Sequence, residues 1–207
     1  SGYGANGPYV NLAGHDGDYI AYSGLLGITG EKNGSPVLPG FQVADIGGGT
    51  LTALSSILAA LYAREKTGRG QFLDVSMMDG AFAFLSLHAG EFIASGKNPD
   101  RGDMTLSGGL PNYSVYQCKD GKYVMLGALE ERFFRSFLRQ IGREELLDGI
   151  ELKQETLGVL RPELEKIFAS KDRDEWKDLF MNADVCLAPV NSISEAFADP
   201  QLRARGM

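Results

Sequence analysis

The chain holds two histidines, and one of them, His15, stands in the Gly-rich polar stretch Ala13-Gly14-His15-Asp16-Gly17-Asp18-Tyr19. An imidazole titrates near neutrality, so it can both take up and return a proton at cellular pH. The adjoining Asp16 carboxylate can fix the ring's tautomer or tune its basicity. Asp45 lies in Val43-Ala44-Asp45-Ile46-Gly47-Gly48-Gly49, where a loop is expected to enter a helix. Glu130 closes Gly127-Ala128-Leu129-Glu130, at the expected end of a strand. Three proton-active groups in loops, each flanked by glycine, point to acid–base catalysis.

Each of these residues also has an ordinary reading. His15 can cap a turn, Asp45 can cap a helix, and Glu130 can be an acid in the first turn of the helix that follows. His88 falls on a predicted helix with Glu91 one turn later, which needs no function to explain it. Lys66 and Arg69 are cations at a helix C-terminus, where the helix dipole already favours them. Two histidines without paired cysteines argue against a metal site. The segment Gly2-Tyr3-Gly4-Ala5-Asn6-Gly7 spells G-x-G-x-x-G. Pro8 follows immediately, an aromatic loop comes next, and the strand such a cradle needs lies outside these residues, so it reads as a turn rather than a dinucleotide cradle.

Certain elements must position these groups. Residues 1–49 are expected to be loop-rich, with turns at Gly7-Pro8, Lys32-Asn33-Gly34 and Leu38-Pro39-Gly40. Leu51, Leu54, Ile57, Leu58, Leu61 and Tyr62 predict a helix from Thr50 to Arg64. Phe72 to Ser76 alternates and predicts a strand, and Asp79 to Ser95 predicts a second helix. The Phe and Leu stripes of both helices are expected to be core. Gly96 to Pro111 reads as a linker, dividing a 1–100 domain from a 101–207 domain. In the latter, Tyr113–Cys118 and Lys122–Gly127 flank Lys119-Asp120-Gly121, a hairpin signal. Helices follow at 131–140, 144–148, 161–169 and 173–182, the last with Asp172 as N-cap. A short strand is predicted at Val185–Val190, with Pro189 at its end or edge. The second half is therefore a small α+β unit.

A net charge of −7 gives nucleic-acid binding little support. The longest apolar run, Ile57 to Tyr62 with its approaches, is too short to cross a bilayer, so no membrane partner is expected. Two cysteines and the absence of a recognisable signal peptide point to a reducing cytoplasm. The chain opens without Met and ends in Asp199-Pro200-Gln201-Leu202-Arg203-Ala204-Arg205-Gly206-Met207, and reads as the middle of a longer protein.

Gly14-His15-Asp16 with Tyr19, Ala44-Asp45 before the glycine run, Lys66-Thr67-Gly68-Arg69-Gly70-Gln71 and Gly127-Ala128-Leu129-Glu130 resemble the α-methylacyl-CoA racemases, a branch of the family III CoA-transferases. The Lys-Thr-Gly-Arg-Gly-Gln segment is common to the whole family, and the His-Asp pair points to the racemase branch. The resemblance implies an α/β fold: part of a Rossmann-like large domain joined by the linker to the small α+β domain. It implies inversion at the α-carbon of a 2-methylacyl-CoA by 1,1-proton transfer, with His15 and Asp45 on opposite faces of that carbon. Glu130 would come from the partner subunit of an interlocked homodimer and position His15. Gly14, Asp16 and Tyr19 would line the path of the pantetheine arm. No cofactor beyond the coenzyme A of the substrate and no metal are implied. Backbone N–H groups at the helix start by Asp45 are expected to stabilise the enolate, with Gly47, Gly48 and Gly49 letting backbone and substrate approach.

Two alternatives stand beside this. In a family III CoA-transferase the aspartate matching Asp45 attacks the acyl-CoA carbonyl as a nucleophile. Such transferases resemble this chain but carry a longer glycine loop than Ser107-Gly108-Gly109. A non-catalytic fragment or scaffold is the third reading.

Overall fold

Asp16–Tyr22, in a stretch expected to be loop, forms helix α1, followed by the single turn α2, Leu25–Ile28. The computed structural model describes residues 1–150 and 154–207, which divide into two compact units, Ser1–Gly102 and Asp103–Met207. In the first unit, a wide π-helical segment, Val43–Leu51, runs directly into α3, Thr52–Thr67. The helix thus begins seven residues earlier than its apolar periodicity predicts, because the glycine run that masked its start is part of it. It closes at Gly68, whose φ of +68° is the left-handed conformation of a helix C-cap.

The glycines are retained for packing. Helix α4, Met77–Ala83, crosses the π-helical segment so closely that a Cβ on Gly80 would lie 2.3 Å from the Gly48 carbonyl oxygen. A Cβ on Gly48 would in turn stand 2.6 Å from the Met77 carbonyl oxygen. Added Cβ atoms on Gly47 and Gly49 would meet the Phe84 ring and the Met77 side chain, each at 2.8 Å. The glycine run is therefore a helix-crossing device, and supplies the close backbone approach expected of it. Helix α5, Ser86–Ser95, is separated from α4 by Phe84 and Leu85, so the predicted single helix over 79–95 is two.

Phe72–Ser76 forms no strand, a second correction. A strand needs a ladder partner, and the segment meets the start of the chain instead by scattered bonds: Ser1 donates to the Val75 carbonyl at 2.9 Å, Ala5 to the Asp74 carboxylate at 2.9 Å, and Met78 to the Gly2 carbonyl at 3.0 Å. The apolar stripes of α3 and α5 are also not core within this chain. Leu54, Ile57, Leu58 and Ile93 are exposed, whereas the buried cluster of this unit is Tyr3, Tyr19, Ile20, Ala44 and Ala81. The continuous helix Val43–Thr67 is long and apolar enough by length and composition to cross a membrane, so the argument from the short apolar run does not hold.

The second unit follows its sequence pattern more closely. Strands β1, Tyr113–Gln117, and β2, Tyr123–Gly127, pair antiparallel with Val115 opposite Met125. Gly121, at φ +78°, turns the hairpin, and β3, Leu187–Pro189, pairs antiparallel with β2 to give the order β1-β2-β3. Alternation buries Tyr116, Val124 and Leu126 in a core they share with Phe134, Phe137 and Leu138 of α6, Glu131–Gln140. The predicted helix at 144–148 is a 3₁₀ turn, Glu144–Leu147. The short α7, Gln154–Leu157, and a 3₁₀ turn lead into α8, Arg161–Phe168, and α9 spans Arg173–Phe180.

Phe168 is the hub of this core. Its ring stacks on Tyr116 at 4.7 Å and on Phe137 at 5.4 Å, and its carbonyl accepts from the Trp176 indole at 2.9 Å. Full burial of each such aromatic contributes roughly 1.5–3 kcal/mol. Asp172 caps α9, with its backbone N–H donating to Glu175 at 2.7 Å. The buried Arg173 guanidinium ties α9 to α10, Ile193–Ala198, through Glu195 at 2.7 Å. Helix α11, Pro200–Ala204, ends the chain, capped by Asp199. Together the two units make a mixed α/β chain with one small antiparallel sheet.

Candidate active site

His15 is the N-cap of α1, in extended conformation at φ −128°, and its side chain is exposed. The local sequence explains why a helix starts here. Asp18, three residues on, accepts the His15 backbone N–H at 2.9 Å, the reciprocal half of a capping box. This His-x-x-Asp spacing is a helix-start signal present in the sequence. The position of α1 comes from its buried face: Tyr19 and Ile20 pack inward, and Tyr19 meets Tyr3 edge to face at 5.0 Å.

Gly14, just before His15, is enclosed by phenols. A Cβ there would stand 2.6 Å from the Tyr3 hydroxyl and 2.9 Å from the Tyr19 ring. The Tyr19 hydroxyl donates to the Gly14 carbonyl at 2.6 Å. Burial raises the Tyr19 pKa above the ordinary phenol value, and the nearby Asp45 and Asp18 carboxylates raise it further. The Asp45 charge is therefore felt at the ring that backs Gly14. Tyr3, which sequence reading assigned no part, is the residue around which Tyr9, Tyr19 and Tyr22 assemble, each ring centre within 5.8 Å of its own. No motif marks such a hub.

The link between the two candidate proton carriers is Asp16. Its Oδ1 accepts the backbone N–H of Ala44 at 2.7 Å and that of Asp45 at 3.0 Å. His15 and Asp45, far apart in sequence, thus sit on two helix starts joined by the residue next to the histidine. Asp45 is partly buried, and its carbonyl accepts from the Thr50 hydroxyl at 3.0 Å. The same bonds correct one expectation. The amides of Ala44 and Asp45 are held by Asp16, and that of Ile46 donates to the Gln42 carbonyl, so they are not open to a substrate oxygen.

Glu130 belongs to the second unit. It is the N-cap of α6, exposed, and its carboxylate makes no capping bond to the helix start. Asn112, whose amide donates to the Ala128 carbonyl at 2.7 Å, holds the stretch between β2 and this residue. In the Ser107-Gly108-Gly109 loop, Gly109 donates to the Met104 carbonyl at 2.9 Å and the Gly108 carbonyl accepts from Arg161.

In the first unit Asp16 holds the backbone of Asp45, and Tyr19 holds the carbonyl of Gly14, the residue before His15. His88 pairs with Glu91 at 3.3 Å, the ordinary arrangement for that spacing. Gly4 and Gly7 take positive φ in a turn and open no helix. Among the described residues no group of three or more metal-ligating side chains occurs.

A profile for CoA-transferase family III matches residues 1–207. The chain is 36% identical to the α-methylacyl-CoA racemase of Mus musculus, covering 99% of the chain and 54% of that protein. It is 34% identical to the succinyl-CoA:glutarate CoA-transferase of Homo sapiens, covering all of the chain and 48% of that protein. Among solved structures, a CAIB/BAIF family protein from Brucella suis aligns over the whole chain at a TM-score of 0.79 and 30% identity, covering 55% of its own length. The chain thus spans about half the length of the curated relatives it matches. By its sequence over its full length, the chain belongs to CoA-transferase family III.

Proposed function

We propose that the chain is the central part of an acyl-CoA racemase that inverts the α-carbon of a 2-methylacyl-CoA thioester by 1,1-proton transfer. The observation that carries this reading is the coupling of an exposed histidine to Asp45 through the Asp16 carboxylate. The thioester acidifies the α-proton. One of the two groups removes it, leaving an enolate, and the conjugate acid of the other delivers a proton to the opposite face. Two groups are required because a single base on one face would return the proton to the side it left. His15 and Asp45 exchange roles for the opposite enantiomer. Acid–base assistance of this kind contributes typically about 10²–10⁴-fold in rate.

Gly14 and Tyr19 form the wall beside which the pantetheine arm runs, and the coenzyme A of the substrate is the only cofactor. Glu130 is the third member of the proposal, entering from the partner copy of a homodimer to orient His15.

A second reading is supported by the 34% identity to a CoA-transferase, against 36% to a racemase. There the Asp45 carboxylate attacks the thioester carbonyl and expels the CoA thiolate, giving a mixed anhydride; the thiolate then attacks the Asp45 carbonyl, releasing the acyl group as a carboxylate and leaving an aspartyl-CoA thioester. One experiment separates them. The full-length protein is incubated with a 2-methylacyl-CoA in heavy water, in parallel with a hydroxylamine trap. The racemase reading expects α-deuterium and loss of optical purity without an adduct. A hydroxamate on Asp45 with no deuterium uptake overturns it in favour of the transferase, and neither signal leaves the scaffold reading.

A further inference from the structure

Asp16 does something at the start of the π-helical segment that the segment does not do for itself. The residue at the N-cap position, Gln42, makes no side-chain capping bond. The first amides of a helix need acceptors, and a nearby side-chain oxygen usually supplies them. Here a single oxygen, Asp16 Oδ1, takes both the Ala44 and the Asp45 N–H from 28 and 29 residues away. Both bonds have an ionised acceptor, the stronger kind of hydrogen bond. Asp16 is also the first residue of α1, directly bonded to the N-cap His15. One side chain thus fastens the start of Asp45's helix to the start of His15's helix.

Resting on the racemase reading, we propose that Asp16 is a positioning residue: it caps the helix of Asp45 from outside and so fixes the spacing between Asp45 and His15. An acceptor in contact with coenzyme A would act through its charge. A tether acts through the place of its oxygen. Asparagine keeps an acceptor oxygen at the same reach without the charge. Glutamate keeps the charge but moves the oxygen outward by about one carbon–carbon bond, roughly 1.5 Å. The tether therefore ranks Asp16→Asn above Asp16→Glu, and a charge contact ranks them the other way.

The test uses the full-length protein carrying Asp16→Asn, Asp16→Glu or Asp16→Ala. Racemisation is read as separate kcat and KM values, and backbone amide exchange is read at Ala44 and Asp45. Misplacing a catalytic group by about an ångström costs on the order of 10²-fold, so Asp16→Glu and Asp16→Ala are expected to lose about that factor in kcat. Their KM is expected to stay within about threefold, and Asp16→Asn to retain most of kcat. Exchange at Ala44 and Asp45 is expected to accelerate by about tenfold or more in the Ala and Glu variants and to recover in Asn, because an acceptor to both amides is lost or displaced. A raised KM with unchanged kcat, a ranking of Glu above Asn, or exchange at Ala44 and Asp45 that no variant alters overturns the proposal. If Asp16→Ala does not fold, the Asn and Glu pair carries the same comparison. If the wild-type protein racemises nothing, the racemase reading fails on its own, and the exchange data still decide the tether.

Discussion

Replacing Gly80 by alanine should disrupt the crossing on which the position of Asp45 depends. The added methyl would lie 2.3, 2.4 and 2.6 Å from the carbonyl oxygen, Cα and carbonyl carbon of Gly48. Carbon atoms rest about 3.5–4.0 Å apart, so the two helices must separate by roughly an ångström or more. All three obstructing atoms are backbone, and no rotamer change relieves them. Alanine raises helix propensity by about 1 kcal/mol over glycine, whereas overpacking costs about 1–3 kcal/mol and occasionally more. With backbone on both sides the upper end applies, and a net loss of about 2–3 kcal/mol is expected. For a protein of this size that is a fall of roughly 4–12 °C in Tm. The control is Gly90→Ala in α5, where an added Cβ meets nothing within 4 Å and a gain of about 0.5–1 kcal/mol is expected. Thermal unfolding of the two full-length variants reads the difference. If Gly80→Ala proves as benign as Gly90→Ala, the close crossing of α4 on the π-helical segment is refuted.

Other outcomes follow from the second unit. Arg173 is buried and bonds Asp174, Glu195 and the Val190 carbonyl, so Arg173→Met is expected to lower the midpoint of denaturant melts, because it removes the donor that ties α9 to α10. Glu195 is held well below the usual carboxylate range, first by the Arg173 guanidinium and then by Ser192. Its proton is bound less tightly in the folded than in the unfolded chain, so its contribution is complete above the unfolded value near 4.5 and is lost as pH falls through the folded value. The Tm gap between wild type and Glu195→Gln is therefore expected to be constant at neutral pH and to close in acid; a gap that widens in acid contradicts the pairing. Burial pushes the Cys118 thiol up to about 11, while Cys186 is exposed. Alkylation of the native protein at mildly alkaline pH is expected to label Cys186 and to spare Cys118 until denaturant is added.

The residues that read correctly from sequence are those whose neighbours in sequence are also their neighbours in space. Lys119-Asp120-Gly121 set the β1–β2 hairpin, the Phe and Leu spacing set α6, and Asp172 set the start of α9. In each, turn chemistry or periodicity decides the structure locally. What could not be read depends on distant partners. Helix α1 contains Gly17 and is short, so propensity alone would not form it; it is held by Asp16 on Ala44 and Asp45 and by Tyr19 against Tyr3. The start of the π-helical segment was hidden because three glycines are poor helix formers, and only the approach of α4 rewards them. Phe72–Ser76 has a strand's alternation without a strand to pair with.

The candidate site divides the same way. The residue types that carry the chemistry, His15, Asp45 and Glu130, are visible as a pattern. The role of Asp16 is not, because nothing in Gly14-His15-Asp16 indicates that its oxygen reaches across to Ala44 and Asp45. Tyr3 is invisible for the same reason.

The central claim is that two different groups serve the two faces of one carbon, and it is tested by following α-proton exchange from each enantiomer separately. Full-length His15→Ala and Asp45→Asn are incubated in heavy water with pure R or pure S 2-methylacyl-CoA, and deuterium and configuration are read together. Both variants are expected to lose inversion, while each still exchanges the α-proton of one enantiomer, and not the same one. Exchange lost from both enantiomers alike in either variant, or inversion surviving both replacements, would contradict the account.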